Sequence, residues 1–237
     1  MLTPITRLFY PPACLLCQHA TSADESLFCD ACHRFLPVQR PPLCQQCGMA
    51  MMGPYDAHLR CQPCQRQAWA FTKARAPFGY HGAIREAIQA FKYRGHHRIG
   101  RWLAAHMART ASAEFSLADI TRVVPVPMHW IKRRLRGDDP AAVLAQRIAA
   151  LLDLPYDSHL LHRLRWTTSQ TRLNGPQRFR NVDGVFRARG DSAAECTVLL
   201  VDDVLTSGAT ANSCASSLRA NGVQEVCVLT AARASLP

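Results

Sequence analysis

Hydrophobic runs and helical periodicities alternate along the chain from about residue 73 onward. The clearest strand is Val198–Val201, four apolar residues in succession, which is typical of a strand buried on both faces in a parallel sheet. Residues 211–220 follow as a predicted helix, which Asn221 and Gly222 end at the C-cap. Further strands are expected within residues 73–80, 122–127 and 160–164, and further helices at 81–93, around 99–106 and from 140 to 151. This alternation favours an α/β fold in which helices flank a parallel sheet.

Two carboxylates and a loop of small residues follow the strand at Val198–Val201. Asp202 and Asp203 stand at its carboxyl end, which is the edge where ligands bind in open α/β sheets. The predicted loop comprises Thr206, Ser207, Gly208, Ala209 and Thr210. It exposes backbone N–H groups and three hydroxyls, and Gly208 can adopt the positive φ that a tight wrap requires. The N-terminus of the next helix completes an anion site suited to a phosphate.

Because of the two carboxylates, the expected ligand is a sugar phosphate and not a plain phosphate. Carboxylates accept hydrogen bonds from ribose hydroxyls, and they stabilise the positive charge that develops on a sugar ring in an oxocarbenium-like transition state. The alternative is an ordinary βα turn in which the Asp and Thr side chains only cap a helix. Both carboxylates beside a loop of small residues favour the ribose-phosphate interpretation.

Cysteine is concentrated in the first 64 residues, which contain eight of the eleven. These eight form four Cys-x2-Cys pairs: Cys14 and Cys17, Cys29 and Cys32, Cys44 and Cys47, and Cys61 and Cys64. Each pair brings two thiolates to one side of a tight turn, and two such turns complete a tetrahedral structural zinc site. We therefore predict two Zn2+ ions, with sequential pairing of the turns as the simplest arrangement and interleaved pairing as the alternative. Disulfides, or a site that has lost its metal, are the other interpretations.

The cysteine-rich segment is predicted to form a small module of its own. It has few large apolar side chains and would hardly fold without metal. Residues 65–71 form the expected seam, so we divide the chain into a double zinc-knuckle (zinc ribbon) module at residues 1–68 and an α/β domain at residues 69–237. The cysteines that lack partners at ligand spacing are expected to be small core residues: Cys196, Cys214 and Cys227.

Composition indicates a globular protein with a sizeable core, since 48% of the 237 residues are hydrophobic. No segment approaches the roughly 20 apolar residues that a membrane helix requires. Met1–Pro12 has no signal-peptide hydrophobic region. We therefore expect a cytoplasmic protein with no membrane insertion, in a compartment where thiols stay reduced.

Positive charge is concentrated in the middle of the chain. The net charge is +11, and residues 70–190 contain 21 Lys and Arg against 8 Asp and Glu. Such a segment suits a polyanionic partner, either pyrophosphate or nucleic acid. The positive charge is densest at residues 132–136. There the side chains of Arg133, Arg134 and Arg136 could neutralise a departing pyrophosphate. A solvated basic loop is the alternative.

Residues 198–210 resemble the signature of the type I phosphoribosyltransferases, which bind phosphoribosyl pyrophosphate (PRPP). The whole chain resembles the ComF/GntX group, bacterial proteins associated with natural competence and use of extracellular DNA, which join a zinc-knuckle module to a phosphoribosyltransferase-like domain. Further matching stretches are Tyr80–Gly82, Phe91–Gly95, Val124–Pro127, Arg133–Gly137, Gln170, Arg178, Asn181 and Phe186. The resemblance implies a type I phosphoribosyltransferase-like sheet, with Asp202 and Asp203 at the ribose, the loop at 206–210 around the 5′-phosphate, and Mg2+ on the pyrophosphate.

One departure from the family pattern bears on activity. The family usually continues Arg-Gly with Phe-Asn-Gln, whereas Gly137 is followed here by Asp138, Asp139 and Pro140. Two acids beside the expected pyrophosphate path should weaken PRPP binding unless Mg2+ bridges them. Two hypotheses follow. The first is an enzyme that transfers a phosphoribosyl group to an unidentified acceptor, and the second is a non-catalytic protein on the same fold that binds PRPP, a nucleotide or single-stranded DNA within the competence machinery.

Overall fold

The strands expected within residues 73–80, 122–127, 160–164 and 198–201 form, the first of them as two short strands, whereas two further strands at residues 186–188 and 225–233 were not predicted. The computed structural model describes residues 13–21, 26–52, 59–94, 96–129, 134, 139–165, 175–189 and 196–235. Its strands are β1 (Lys73–Arg75), β2 (Phe78–Gly79), β3 (Ile120–Pro125), β4 (Leu161–Arg163), β5 (Phe186–Ala188), β6 (Thr197–Leu205) and β7 (Glu225–Arg233). Its helices are α1 (Asp30–His33), α2 (Gln62–Arg66), α3 (Gly82–Arg94), α4 (His97–Glu114), α5 (Pro140–Leu152), α6 (Gly175–Val182) and α7 (Ala209–Ala220).

The main sheet is parallel throughout its described part. Its strand order is β1–β7–β6–β3, and β2 pairs with the same edge of β7 as β1 does. Strands β4 and β5 form a separate antiparallel pair. This topology confirms the predicted class, an α/β fold built on a parallel sheet.

Both faces of the sheet are covered because β6 points alternate side chains to opposite sides. Leu199 and Val201 belong to one buried cluster together with side chains of α3, α4 and α5. Val198 and Leu200 belong to a second, together with side chains of α7, β4 and β5. All four side chains are fully buried, as expected for a strand of a parallel sheet. The cysteines outside the knuckles also lie in these clusters, which confirms their predicted place in the core: Cys196, Cys214 and Cys227.

Strand β6 is longer than the hydrophobic run predicts. The run ends at Val201, but β6 continues to Leu205. Strand β3 pairs with β6 only as far as Val201, whereas β7 continues to pair with it as far as Leu205. Asp202 and Asp203 therefore lie inside the last part of a strand that has lost one of its two neighbours.

The predicted ends of two helices are confirmed. Asp139 caps α5 by accepting hydrogen bonds of 3.1 and 3.4 Å from two first-turn N–H groups, and Pro140 is the first helical residue. Helix α7 begins at Ala209, two residues earlier than predicted, and ends at Ala220; Asn221 is its C-cap, and Gly222 follows with a φ of 93°. None of the described helices is both long and apolar enough to cross a membrane.

The cysteine-rich module packs against α4 and the edge of the sheet. The buried ring of Phe28 meets the ring of Trp102 edge-on at 5.3 Å, and Trp102 stacks on Phe78 of β2 at 5.1 Å. The N–H of Gly79 donates a 2.7 Å hydrogen bond to the carbonyl of Pro37. The module and the α/β domain thus share part of one hydrophobic core. Their predicted boundary between residues 68 and 69 stays a prediction.

Candidate functional site

The two predicted carboxylates lie where the sheet opens toward solvent. Asp202 is paired with Thr230 of β7, but the pairing with β3 has already ended at the preceding residue. Its Oδ1 accepts a 2.8 Å hydrogen bond from the N–H of Asp203. Both side chains are half-buried, not turned into the core. Both residues therefore keep part of their surface at this edge of the sheet.

Lys92 of α3 reaches the same edge and forms an ion pair with Asp203. Its Nζ lies 2.8 Å from Oδ2 of Asp203, and the two side chains are 22% and 17% exposed. Burial by itself would lower the pKa of Lys92, but the charges of Asp203 and Asp202 outweigh burial and raise that pKa. No sequence pattern predicted a role for Lys92. Only its position within residues 91–95, which match the family, distinguishes it from other lysines.

Asp202 is held in an environment that disfavours its charge. Although part of its side chain touches solvent, the dense protein around it raises its pKa to about 8, and the charge of Asp203 adds to this increase. Lys92 offsets part of the increase, and Asp139 adds a smaller repulsion. At neutral pH Asp202 consequently retains a proton more readily than an exposed carboxyl group does.

The loop before α7 is built around a glycine in the left-handed region. Gly208 is the N-cap of α7 with a φ of 81°, a conformation that residues with a Cβ rarely adopt. The Oγ of Ser207 accepts a 3.4 Å hydrogen bond from the N–H of Ala209, and the side chains of Thr206, Ser207 and Thr210 are half-buried. Because the helix starts at Ala209, the loop proper is shorter than predicted. The N-terminal turn of α7 adjoins it, and the helix dipole there favours an anion.

Trp69 packs directly against this loop. A Cβ added to Gly208 would lie 2.6 Å from Cζ3 of Trp69, so a larger residue would clash as well as strain the backbone. The indole ring also lies 5.0 Å from the ring of Phe71 and 5.9 Å from that of Phe179. Trp69 thus supports one side of the loop, while the hydroxyl-bearing residues of the loop keep part of their surface open.

The predicted pyrophosphate-binding arginines are described only in part. Arg134 is exposed. The following positions named above lie outside the described residues: Gly95, Arg133, Arg136, Gly137, Asp138 and Gln170. Asp139 has a structural role, because in addition to capping α5 its Oδ2 accepts a 3.2 Å hydrogen bond from a backbone N–H just after β3.

The knuckle cysteines form two separate clusters, within each of which the ligand atoms lie within 4.8 Å of one another. The first cluster is Cys14, Cys17, Cys29 and Cys32, and the second cluster is Cys44, Cys47, Cys61 and Cys64. The turns are therefore paired sequentially and not interleaved. One Sγ–Sγ distance in each cluster is 3.6 Å, close to the roughly 3.8 Å that a tetrahedral site with Zn–S bonds of about 2.3 Å requires. This donor set fits a structural Zn2+ in each cluster.

The two clusters are built from a repeated turn. The N–H of Gln18 returns to the carbonyl of Cys14 at 3.0 Å, and the N–H of Gly48 returns to that of Cys44 at 2.9 Å. Both turn residues have a positive φ, 61° and 65°. The internal repeat in the sequence therefore corresponds to a repeated structure that presents two thiolates to one point.

Burial distinguishes the two clusters. All sulfur-bearing residues of the second cluster are at most 3% exposed, whereas Cys17 of the first cluster is exposed. Contacts with the sulfurs of Cys44 and Cys47, followed by burial, raise the pKa of Cys64, because four crowded thiols cannot all ionise without a cation. A divalent metal relieves this repulsion, which is the chemistry that zinc supplies to such a centre.

Comparison with known proteins agrees with the two cysteine clusters. The family described as "Double zinc ribbon domain" matches residues 5–69. The chain is 28% identical over 231 residues to "Competence protein F" of Haemophilus influenzae, covering 95% of this chain and 99% of that protein. It is 29% identical to "DNA utilization protein YhgH" of Salmonella typhimurium, covering 92% and 96%, and 26% identical to "Competence protein ComFC" of Bacillus subtilis, covering 88% and 89%.

Among solved structures, the crystal structure of TT1426 from Thermus thermophilus aligns with a TM-score of 0.32 and 17% identity, over 54% of this chain and 71% of that one. That likeness is weak, whereas the sequence relatives cover 88% to 95% of this chain. The predicted resemblance is confirmed: along nearly its whole length, this chain is a relative of the ComF-type proteins.

Proposed function

We propose that this chain is a phosphoribosyltransferase-type protein that binds PRPP or ribose 5-phosphate groups together with Mg2+. The observation that carries the proposal is the position of Asp202 and Asp203, two half-buried residues on β6. They precede the loop that turns at Gly208 and the N-terminus of α7. Because the relatives are named for competence and DNA utilisation, we further propose that this activity serves DNA uptake or use.

The ribose-phosphate would be held at its two ends by different chemistry. Asp203, and Asp202 once a bound Mg2+ favours its ionised form, would accept hydrogen bonds from the ribose hydroxyls, which are charge-assisted and hence stronger than neutral ones. The loop from Thr206 to Gly208 and the first turn of α7 surround the 5′-phosphate with N–H groups and hydroxyls. Lys92 keeps the carboxylates partly neutralised, so that an anionic ligand is tolerated beside them.

In the transfer reaction, the bond between C1′ and the pyrophosphate oxygen breaks, and pyrophosphate leaves with the electron pair. An acceptor atom with a lone pair forms the new bond to C1′. Asp202 and Asp203 stabilise the positive charge on the ring between these events, and Arg133, Arg134 and Arg136 neutralise the leaving group. Carboxylate oxygens are ligands that Mg2+ prefers, and when bound with pyrophosphate this ion reduces the charge of the leaving group.

The proposal is tested by calorimetric titration of the zinc-loaded full chain with PRPP in the presence of Mg2+. We expect saturable binding with a dissociation constant on the order of 1 µM to 1 mM, the usual range for a metabolic substrate. Ribose 5-phosphate should compete with PRPP, because it retains both the hydroxyls and the phosphate. A folded, zinc-loaded protein that gives no heat with either ligand would remove the basis of the proposal.

Replacing Lys92 by Met should make ribose 5-phosphate binding more dependent on Mg2+. The variant leaves Asp203 without its ion pair, so the anionic ligand meets uncompensated negative charge. We expect the affinity without Mg2+ to fall by about tenfold, which corresponds to roughly 1.4 kcal/mol. Saturating Mg2+ should recover most of this loss.

Lys92→Arg is the matched control, because it keeps the positive charge at the same position. It should bind within about threefold of the wild type under both conditions. Equal Mg2+ dependence in the wild type and in Lys92→Met would contradict the assigned role of Lys92.

Binding of single-stranded DNA is the second candidate function. It is favoured by the relatives named for DNA utilisation and by the solvent exposure of several arginines of the basic middle segment: Arg85, Arg101, Arg109, Arg134, Arg165, Arg180, Arg187 and Arg189. Contacts of this kind release counterions, so the affinity for an oligonucleotide would fall steeply between 50 and 200 mM salt, by roughly 1000-fold for about six phosphate contacts. A flat salt response would exclude the arginines as the contact surface.

A further inference from the structure

Arg233, the last residue of β7, is buried at 4% exposure and connects the loop to the second cluster. On the loop side, its Nη1 donates hydrogen bonds to the carbonyls of Leu205 (3.0 Å), Thr206 (2.6 Å) and Ala234 (2.6 Å). On the module side, its Nε donates to the carbonyl of Cys47 at 3.1 Å, and its Nη2 lies 3.6 Å from the Sγ of Cys47. One side chain therefore holds a zinc-ligand residue and the two residues that lead into the loop.

The electrostatics of this contact suit a zinc-thiolate centre. Four thiolates and one Zn2+ leave a net charge of about −2 on the second cluster, so a buried cation beside Cys47 is favourable. Within the described part of the chain, the ion pairs between side chains do not include Arg233. The second cluster is thus the negative group that compensates the guanidinium, as hydrogen-bonded partners outside the ligand shell commonly do at metal sites.

Trp69 provides a second, independent link between the same two regions. Its ring packs against Gly208 in the loop, and it also packs against the cysteines of the second cluster. The N–H of Ala70, the next residue, donates a 2.8 Å hydrogen bond to Oδ1 of Asn212 in α7. The second cluster therefore supports the loop both through the Arg233 hydrogen bonds and through the packing of an indole.

Arg75 also contacts the second cluster, but its contacts serve only the packing of the module on the domain. It is also buried, at 8% exposure, and its Nη1 donates to the carbonyls of Cys44 and Gln45 in the same knuckle as Cys47. Its remaining contacts are with the carbonyl of Ala74 and with the carboxylate of Glu114 at 2.8 Å, not with the loop. Arg75 fastens the module to the domain, whereas Arg233 fastens both the module and the loop.

We propose that Arg233 is a positioning residue for the loop at Thr206–Gly208, and that the second zinc centre is thereby part of the ribose-phosphate site. The first cluster belongs instead to the hydrophobic core that contains the side chain of Trp102 in α4. This inference rests on the proposed function of the loop. It assigns different roles to the two zinc centres: the second supports ligand binding, and the first supports only folding.

The test compares Arg233→Met with Arg75→Met in the zinc-loaded full chain. Deuterium exchange of peptides that cover residues 204–211 should accelerate by about tenfold in Arg233→Met and remain unchanged in Arg75→Met. The affinity for ribose 5-phosphate, measured by calorimetry, should fall by at least about tenfold in Arg233→Met and by less than about twofold in Arg75→Met. In protein loaded with Co2+, the thiolate-to-metal absorption should shift in Arg233→Met.

Arg233→Lys keeps the charge beside Cys47 but cannot make all the hydrogen bonds to the loop carbonyls. It should retain the wild-type Co2+ spectrum and still show faster exchange in the loop. If Arg233→Met does not fold, Arg233→Lys alone tests whether Arg233 positions the loop. Equal effects of the Arg233 and Arg75 substitutions on loop exchange, or no change in loop exchange, would overturn the inference. If the wild type itself binds no ribose 5-phosphate, the proposed function fails, while the exchange and Co2+ measurements still decide whether Arg233 couples the second cluster to the loop.

Discussion

Replacing Asp202 and Asp203 together by Asn is expected to reduce the affinity for PRPP and ribose 5-phosphate by about 100-fold or more. Each group would lose hydrogen bonds to ribose hydroxyls, which are charge-assisted once bound Mg2+ favours the ionised form of Asp202 and are worth roughly 1.5–3 kcal/mol per group. Both side chains are half-buried at the open edge of β6, so the isosteric amides should be accommodated. Calorimetry measures the loss, and circular dichroism checks that the fold persists.

Asp119→Asn is the control for this double variant. Asp119 is exposed and directly precedes β3, at the amino-terminal edge of the sheet, opposite the carboxylate pair. It should bind both ligands like the wild type. Undiminished binding by the double variant would show that the ligand lies elsewhere.

The same pair predicts a pH dependence of stability. The folded-state pKa of Asp202 is raised by burial from 3.8 to about 8, so the protonated form is the one that folding favours. The stability that this group contributes is fully present below about pH 4 and is lost as the pH rises toward 8. Asp202→Asn removes this titration, so its advantage over the wild type in urea unfolding should increase between pH 5 and pH 9. An advantage that decreases over this interval would contradict the assigned environment of Asp202.

Loss of a ligand from the second zinc cluster is expected to destabilise the chain much more than loss of a ligand from the first. Cys64 is 3% exposed within a cluster that packs on the domain, whereas Cys17 is exposed. We expect Cys64→Ser to lower the melting temperature by at least about 10 °C, or roughly 3–5 kcal/mol for a chain of this size. Cys17→Ser should lower it by less than half as much. Differential scanning calorimetry measures both changes.

Zinc content provides the matching readout. The wild type should contain two Zn2+ per chain, and an organomercurial should release the ion of the first cluster sooner, because Cys17 is accessible. Cys227→Ala is the control, since it removes a buried thiol that belongs to neither cluster and should leave two Zn2+ bound. Release of both ions in one phase, with equal effects of Cys17→Ser and Cys64→Ser, would contradict the distinction between the clusters.

Local sequence patterns predicted those parts of the protein whose chemistry depends on residues that are neighbours in the chain. The four Cys-x2-Cys turns predicted the two metal clusters, because each turn brings two thiolates together without help from the rest of the chain. The strand, the carboxylates and the small-residue loop belong to one βα unit, which formed at the predicted place, although β6 extends to Leu205 and α7 begins two residues earlier than predicted. The zinc ribbon and the parallel α/β sheet were therefore accessible from pattern and spacing.

The contacts between distant segments were not accessible in this way. The ion pair of Lys92 with Asp203 and the bridge from Arg233 to Cys47 join residues that no local period relates. The extension of β6 past Val201 depends on β7, which continues to pair with it after β3 has ended. Sequential pairing of the cysteine turns likewise required the folded module.

The sequence by itself thus determined the two sets of cysteine ligands and the carboxylate–loop unit, because these arise from residues close to one another in the chain. Only the tertiary structure decided which cation neutralises Asp203, which arginine supports the loop, and which zinc cluster lies against the proposed site. Those choices depend on the packing of α3, β7 and the cysteine module around one edge of the sheet, where electrostatic and hydrogen-bond energies act between segments far apart in the chain.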